Sequence, residues 1–77
     1  GCFYPPTLLT RVPAHAALAE TEIFGPVAAL IAFDDEAQVI ELANRSVYGL
    51  AAYVFTRDYG RIQRLGEQLQ TGMLGIN

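Results

Sequence analysis

Residues 27–33 read VAALIAF, seven apolar residues without a polar break. A run of that length suits a strand covered on both faces, as the strands of parallel sheets are. Asp34-Asp35-Glu36 ends it, and Gly25-Pro26 stands just ahead of it. Pro26 fixes its own φ and pushes the residue before it away from helix. A strand of this kind needs layers on both sides, so the rest of the chain must supply them.

The neighbouring segments have that character. Residues 1–10 favour extended chain through Phe3, Tyr4, Thr7, Leu8 and Leu9, while Pro5 and Pro6 restrict it to an edge or an irregular start. Residues 14–21 are alanine-rich and suit about two helical turns. After the VAALIAF strand, Asp35 caps a helix over residues 36–43, with Gln38 placed to complete a capping box. Ala37, Val39, Ile40 and Ala43 mark its inner face, and Asn44 its stop. Residues 50–56 (LAAYVFT) form the next strand. Asp58 caps a helix to residue 70, whose inner positions Tyr59, Ile62, Leu65, Gly66 and Leu69 follow three-and-four spacing. Gly66 weakens that helix relative to Ala, which points to a close approach of another element. Gly72 closes it, and residues 73–77 start a last strand. The order is β-α-β-α-β-α-β. Alternation of this kind predicts an α/β fold with a mostly parallel sheet and right-handed crossovers.

Composition narrows the partners. The chain is 77 residues long with a net charge of −3, so it makes one small domain at most, with a marginal core. Hydrophobic residues make up 52% and charged residues 17%, and part of that apolar surface is expected to face another chain or further sequence. The basic residues are all arginine, with Arg57, Arg61 and Arg64 close together. A nucleic-acid binder shows a larger basic excess, and the arginine cluster reads as the solvated face of a helix. Cys2 is the single cysteine, with no activating base beside it, and reads as a packed or exposed thiol. His15 has no partner at a defined spacing and reads as exposed. Asp34, Asp35 and Glu36 have the chemistry for a divalent cation, but acids at a helix start are favoured by the macrodipole without one, so no metal site is assigned. No stretch approaches the ~18 apolar residues of a membrane span, and no signal core follows a basic start. A cytoplasmic, reducing setting is expected.

The stretch Glu22-Ile23-Phe24-Gly25-Pro26-Val27 carries the chemistry. Gly25 has access to backbone angles closed to other residues, and Pro26 is rigid, so Glu22 and Phe24 sit on a stiffened bend. A carboxylate with two acceptor oxygens suits a diol such as a ribose, and a phenyl ring suits a flat heterocycle. The same residues also fit a surface acid beside a core Phe at a helix-to-strand turn. In open parallel sheets ligands gather beyond the carboxyl ends of strands, which taken alone favours the loops at Asp34 and Arg57 over this bend.

Phe3-x-x-Pro6-Thr7-Leu8, Glu22-Ile23-Phe24-Gly25-Pro26-Val27, Ala43-Asn44, Tyr48-Gly49-Leu50-Ala51-Ala52, Val54-Phe55-Thr56-Arg57-Asp58 and Gly72-Met73-Leu74-Gly75-Ile76-Asn77 occur in this order. Together they resemble the aldehyde dehydrogenase superfamily from end to end, and within it most closely the succinate-semialdehyde dehydrogenases. The resemblance implies NAD- or NADP-dependent oxidation of a small aldehyde, with succinate semialdehyde to succinate as the expected case. In that family a cysteine attacks the aldehyde, hydride passes to the nicotinamide, and glutamate-activated water releases the product. It implies that Glu22 holds the nicotinamide-ribose hydroxyls, that Phe24 lies beside the nicotinamide ring, and that Leu50 lies near that ring.

No catalytic residue is assigned. The resemblance places the family's nucleophile, general base, oxyanion asparagine and Gly-rich coenzyme segment upstream of such a stretch, and Cys2 does not match the nucleophile's motif. Residues 1–77 are therefore expected to be part of the catalytic domain, without the coenzyme domain, and inactive alone. A homo-oligomer or the remainder of a parent chain is the expected partner. The competing reading is a non-catalytic truncated α/β interaction module that self-associates through its exposed apolar surface and strand edges.

Overall fold

The computed structural model describes residues 3–77. The elements follow the expected order: β1 (Thr7–Leu9), α1 (Ala17–Glu20), β2 (Val27–Ala29), α2 (Glu36–Asn44), β3 (Ala51–Val54), α3 (Tyr59–Gln68) and β4 (Met73–Ile76). They fall into two units, Gly1–Asp34 and Asp35–Asn77. Each unit contains one parallel strand pair, β1 with β2 and β3 with β4, joined through a helix. The fold is α/β with parallel pairing, built among the described residues as two two-stranded sheets.

In the first unit the register is Thr7↔Val27, Leu8↔Ala28 and Leu9↔Ala29. The pairing reaches Leu30, whose N–H donates to Leu9 O at 2.7 Å and whose carbonyl accepts from Val12 N at 3.1 Å. Thr10 and Arg11 loop out between those two bonds, and Arg11 takes φ 56°, as the extra residue of a bulge does. That interruption is why the strand expected over residues 27–33 stops at Ala29. The expected burial on both faces is also not met. Val27 is half-buried, Ala28 and Ala29 are exposed, and so are Leu30 and Phe33. An apolar run encodes a need for cover, and the four-residue α1 does not provide it.

Helix α1 is shorter than the two turns expected from residue 14. Ala16 N donates to Pro13 O at 3.0 Å in a turn, and Ala16, as N-cap, has no side-chain oxygen to offer the first helical N–H groups. His15 is exposed, as expected. Cys2 lies outside the described residues.

In the second unit α2 begins as its sequence indicates. Asp35 Oδ1 accepts from Gln38 N at 2.8 Å, satisfying one of the orphan donors at the helix start. Asp58 does the same for α3, accepting from Arg61 N at 3.0 Å. The core sits on α3: Leu65 is 6% exposed, with Ile62 and Leu69 half-buried beside it along the helix. Tyr59 and Gly66, expected on the inner face, are exposed, as are Ala37 and Ala43 of α2. These positions flank the less exposed stripe of each helix and stay largely open to solvent. A Cβ on Gly66 would lie 4.0 Å from Leu74 Cδ2, so β4 approaches α3 there at ordinary van der Waals distance.

The arginine cluster is not simply a solvated face. Arg64 Nε and Nη2 donate to Glu36 Oε2 and Oε1 at 2.7 and 3.0 Å, and Arg61 Nε donates to Oε1 at 3.0 Å. Two side chains of α3 thus grip the first residue of α2. The Arg64 hydrogen bonds, with Arg61 adding to them, hold the Glu36 carboxyl at about 2, well below its usual range.

The end of α3 departs from the glycine stop that its sequence suggested. Leu69 leaves the helix in extended conformation, φ −76° and ψ 128°, and among the described residues no glycine has positive φ. The cap comes from another helix. Asn44, the last residue of α2, donates from Nδ2 to Gln68 O at 2.8 Å and accepts from Gln70 N at Oδ1, also at 2.8 Å. Gly72 serves proximity instead: a Cβ there would stand 3.2 Å from Leu50 O.

At the far end of β4, Asn77 N donates to Val54 O at 2.8 Å. Its side-chain amide then pairs with the backbone of Thr56, accepting from Thr56 N at 2.9 Å and donating to Thr56 O at 3.1 Å.

Candidate functional site: a braced bend and a strand start

Glu22 and Phe24 share one bend, anchored at both ends. On the near side Thr21 donates its N–H at 3.0 Å and its hydroxyl at 2.7 Å to the carbonyl of Ala17, ending α1. On the far side Val27 N donates to Gly25 O at 2.8 Å, a three-residue turn centred on Pro26, whose fixed φ suits it. The sharp turn therefore comes from Pro26, and the left-handed freedom expected of Gly25 is not used.

A third brace crosses from β1. Thr7 N donates to Pro26 O at 2.7 Å, and the Thr7 hydroxyl donates to Pro5 O at 2.9 Å. The Pro6-Thr7-Leu8 and Phe24-Gly25-Pro26 blocks, 18 residues apart in sequence from Thr7 to Gly25, are hydrogen-bonded neighbours. Because β1 and β2 are parallel, the bend lies at the amino ends of both strands.

What the bend presents is open. Phe24 is 91% exposed and Glu22 is exposed. Glu22 takes part in none of the ion pairs among the described residues, which are Glu41 with Arg45 and Glu36 with Arg61 and Arg64. A Cβ on Gly25 would meet nothing within 4 Å. A free carboxylate, an uncovered ring and open space over a glycine on a fixed backbone fit a ligand carrying a diol and a flat heterocycle. Of the two readings of Phe24 open from its sequence, the structure excludes a ring buried within this chain.

Leu50 stands in the second unit, immediately before β3, and is 78% exposed. Its carbonyl accepts from Met73 N at 3.0 Å, and the carbonyl of Gly49 accepts from Gly72 N at 2.8 Å. Sequence reasoning assigned Asn44 only the end of a helix. Its amide geometry, invisible in sequence, makes it the clamp between the ends of α2 and α3. Beside it lies a small open cleft of about 50 Å³ lined by Asn44, Tyr48, Gly49, Gln70 and Thr71 together with alanines and Leu69. Among the described residues no three His, Cys, Asp or Glu side chains gather to hold a metal ion. Asp35 caps α2 and Glu36 is taken by arginines. No helix among the described residues is long and apolar enough to cross a membrane.

Known proteins are similar to this chain in sequence and in fold. The chain is 52% identical to a succinate-semialdehyde dehydrogenase of Paenarthrobacter nicotinovorans and 48% identical to a 3-sulfolactaldehyde dehydrogenase of Pseudomonas putida, in both cases over all of its 77 residues. It spans 17% and 16% of the length of those curated relatives. An NADP-dependent enzyme of Escherichia coli superposes on 96% of the chain with a TM-score of 0.91 at 50% identity, this chain covering 15% of it. The aldehyde dehydrogenase family profile matches residues 1–77. With that profile matched over all 77 residues and relatives of this identity, the chain belongs to the aldehyde dehydrogenase family.

Proposed function

We propose that residues 1–77 are a portion of the catalytic domain of an NAD(P)-dependent aldehyde dehydrogenase and contribute one wall of its nicotinamide site. The observation that carries the reading is the bend itself: Phe24, 91% exposed, and Glu22 stand on backbone fixed by Thr21, Pro26 and Thr7. Glu22 accepts hydrogen bonds from the two nicotinamide-ribose hydroxyls. Phe24 offers its face to the ring and limits where the ring can swing. Leu50 supplies an apolar contact near the ring. When bound, the coenzyme supplies the hydride acceptor; these residues hold it at a fixed place and touch no other step. The nucleophile, the general base and the oxyanion donor come from sequence outside this stretch, so the 77 residues alone do not turn over aldehyde.

The relatives named above support the substrate class. Succinate semialdehyde and 3-sulfolactaldehyde are both short aldehydes bearing an anionic group, a carboxylate in one and a sulfonate in the other. A short anionic aldehyde is the proposed substrate, with succinate semialdehyde as first choice. The working enzyme is proposed to be a cytoplasmic homo-oligomer.

The test is Glu22→Gln in the full-length enzyme. The change keeps the shape and one acceptor oxygen and removes the charge. Charge-assisted hydrogen bonds are about twice as strong as neutral ones, and the loss should weaken coenzyme binding by about 1–3 kcal/mol. A ribose held less firmly also lets the ring wander, and small misplacements cost up to ~100-fold in rate. Single-turnover nicotinamide reduction and coenzyme titration should both fall, with the coenzyme-free Tm unchanged. If both hold while that Tm drops, Glu22 is a structural acid and the reading fails.

A further inference from the structure

We propose that Asn44 is a positioning residue for Leu50, acting through the backbone of residues 70–73; the proposal rests on the reading that Leu50 borders the nicotinamide ring. Asn44 is half-buried, and both ends of its amide are used. Nδ2 satisfies the carbonyl of Gln68, the last residue of α3, which the extended exit at Leu69 leaves without a cap of its own. Oδ1 takes the N–H of Gln70. Asn44 thus fixes the place where the chain leaves α3.

That place determines where Leu50 stands. Two residues past Gln70, Gly72 N donates to Gly49 O at 2.8 Å, and Met73 N donates to Leu50 O at 3.0 Å. The Thr71 hydroxyl lies 3.1 Å from Met73 O and 3.4 Å from Gly49 O. The two segments run so close that neither glycine has room to spare. A Cβ on Gly49 would stand 3.2 Å from Gln70 O, and one on Gly72 would stand 3.2 Å from Leu50 O. With contacts this near, a displacement of residues 69–71 passes to Gly49 and Leu50 instead of being absorbed. Each end of the Asn44 amide already holds a backbone partner, Nδ2 the carbonyl of Gln68 and Oδ1 the N–H of Gln70, with one N–H and one lone pair remaining. A side chain that only capped α3 would need the Gln68 bond alone; the Gln70 bond is the one that reaches toward Leu50.

The experiment uses the full-length enzyme with Asn44→Ala, Leu50→Ala and the double variant. Asn44→Asp, which keeps an acceptor for Gln70 N, is the substitute if the alanine variant does not fold. Amide hydrogen exchange in the coenzyme-free protein is expected to rise roughly five- to tenfold at Gly72 and Met73 on Asn44→Ala, consistent with a lost hydrogen bond, while exchange at Leu65 holds. Single-turnover hydride transfer should slow about tenfold, with NAD or NADP affinity by titration within about twofold. The double variant should be no slower than the slower single variant. With Asn44→Asp, protection at Gly72 and Met73 should survive better than with alanine. If Asn44→Ala lowers Tm but leaves both exchange at Gly72 and Met73 and the transfer rate unchanged, or if Asn44→Asp, which keeps the acceptor for Gln70 N, loses protection at Gly72 and Met73, the Gln70 bond does not position Leu50 and the proposal is overturned. If Leu50→Ala alone leaves the transfer rate unchanged, the placement of Leu50 beside the ring is what has failed, and the proposal goes with it. A rate loss on Leu50→Ala without one on Asn44→Ala overturns only the positioning role.

Discussion

The backbone N–H of Thr7 meets the carbonyl of Pro26 at 2.7 Å, and this bond joins the two most distinctive blocks of the first unit. It means that the bend bearing Glu22 and Phe24 is braced by β1 as well as by its own proline. Such a bend should be insensitive to changes that add bulk only on its open side.

Gly25 provides that case. A Cβ there meets nothing within 4 Å, and its φ is not positive. Gly25→Ala in the full-length enzyme should therefore leave the coenzyme-free Tm unchanged or raise stability by about 0.4–1 kcal/mol through the unfolded state. Coenzyme affinity should fall, because the added methyl occupies space that the ligand uses. Titration and thermal melts together decide it; unaltered affinity would place the ligand elsewhere.

Glu36 should make stability depend on pH in a defined window. Its folded pKa is depressed from 4.5 to about 2, first by the hydrogen bonds from Arg64. A depressed carboxyl contributes stability that is fully present above the unfolded value and is lost as pH falls through the folded one. The Tm gap between wild type and Glu36→Gln should thus be constant from neutral pH to about 5 and shrink as pH drops from 4.5 toward 2. A gap that does not change below pH 4.5 would mean the arginines do not hold the carboxylate as described.

Two glycines of the second unit should respond in opposite ways. At Gly66 a Cβ would rest 4.0 Å from Leu74 Cδ2, so Gly66→Ala should stabilise α3 by up to about 1 kcal/mol. At Gly75 a Cβ would fall 2.6 Å from Cδ1 of Tyr53, and the ring must move. Gly75→Ala should cost about 1–3 kcal/mol. Adding Tyr53→Ala should recover part of that loss, and chemical denaturation of the three variants would reveal an additive pair if the contact does not matter.

The isolated 77-residue chain should self-associate or be partly unfolded at micromolar concentration, and should not reduce NAD or NADP with succinate semialdehyde. Leu65 is the one apolar residue among the described residues that is buried, at 6% exposure, while Phe3, Phe24, Leu50, Tyr53 and Phe55 are each more than 70% exposed. Apolar surface of this extent calls for a partner. Light scattering from a clean monomer, with a cooperative melt independent of concentration, would count against this expectation, as would coenzyme reduction surviving Cys2→Ala.

The legible parts of the fold were those set by local chemistry. Asp35 and Asp58 announced the starts of α2 and α3 because an N-cap needs only a side-chain oxygen three residues ahead of a free N–H. The order of all seven elements followed from period and punctuation. Residues 27–33 misled, because an apolar run records what a strand must be covered by and says nothing of whether the cover lies in the same chain. Gly72 misled for a different reason: a glycine after a helix signals either a left-handed stop or a close approach, and only the position of Leu50 O decides between them. Arg61 and Arg64 looked like solvent-facing charges since their partner, Glu36, is 25 residues away from the nearer of the two. At the bend, the pairing of Glu22 with Phe24 could be read directly, but the brace from Thr7 depended on a strand register that no local signal sets.

Asn77 separates two tasks that a strand residue normally performs together. In a parallel ladder, the carbonyl that follows the Val54-bonded N–H would accept from Thr56 N; here the side-chain Oδ1 accepts instead, and Nδ2 returns a bond to Thr56 O. The amide acts as a surrogate peptide unit. Thr56 is thereby satisfied while the Asn77 main chain itself takes φ 56°. The sheet gains a rung from a side chain. Asn77→Leu would take both of these partners from the Thr56 peptide groups.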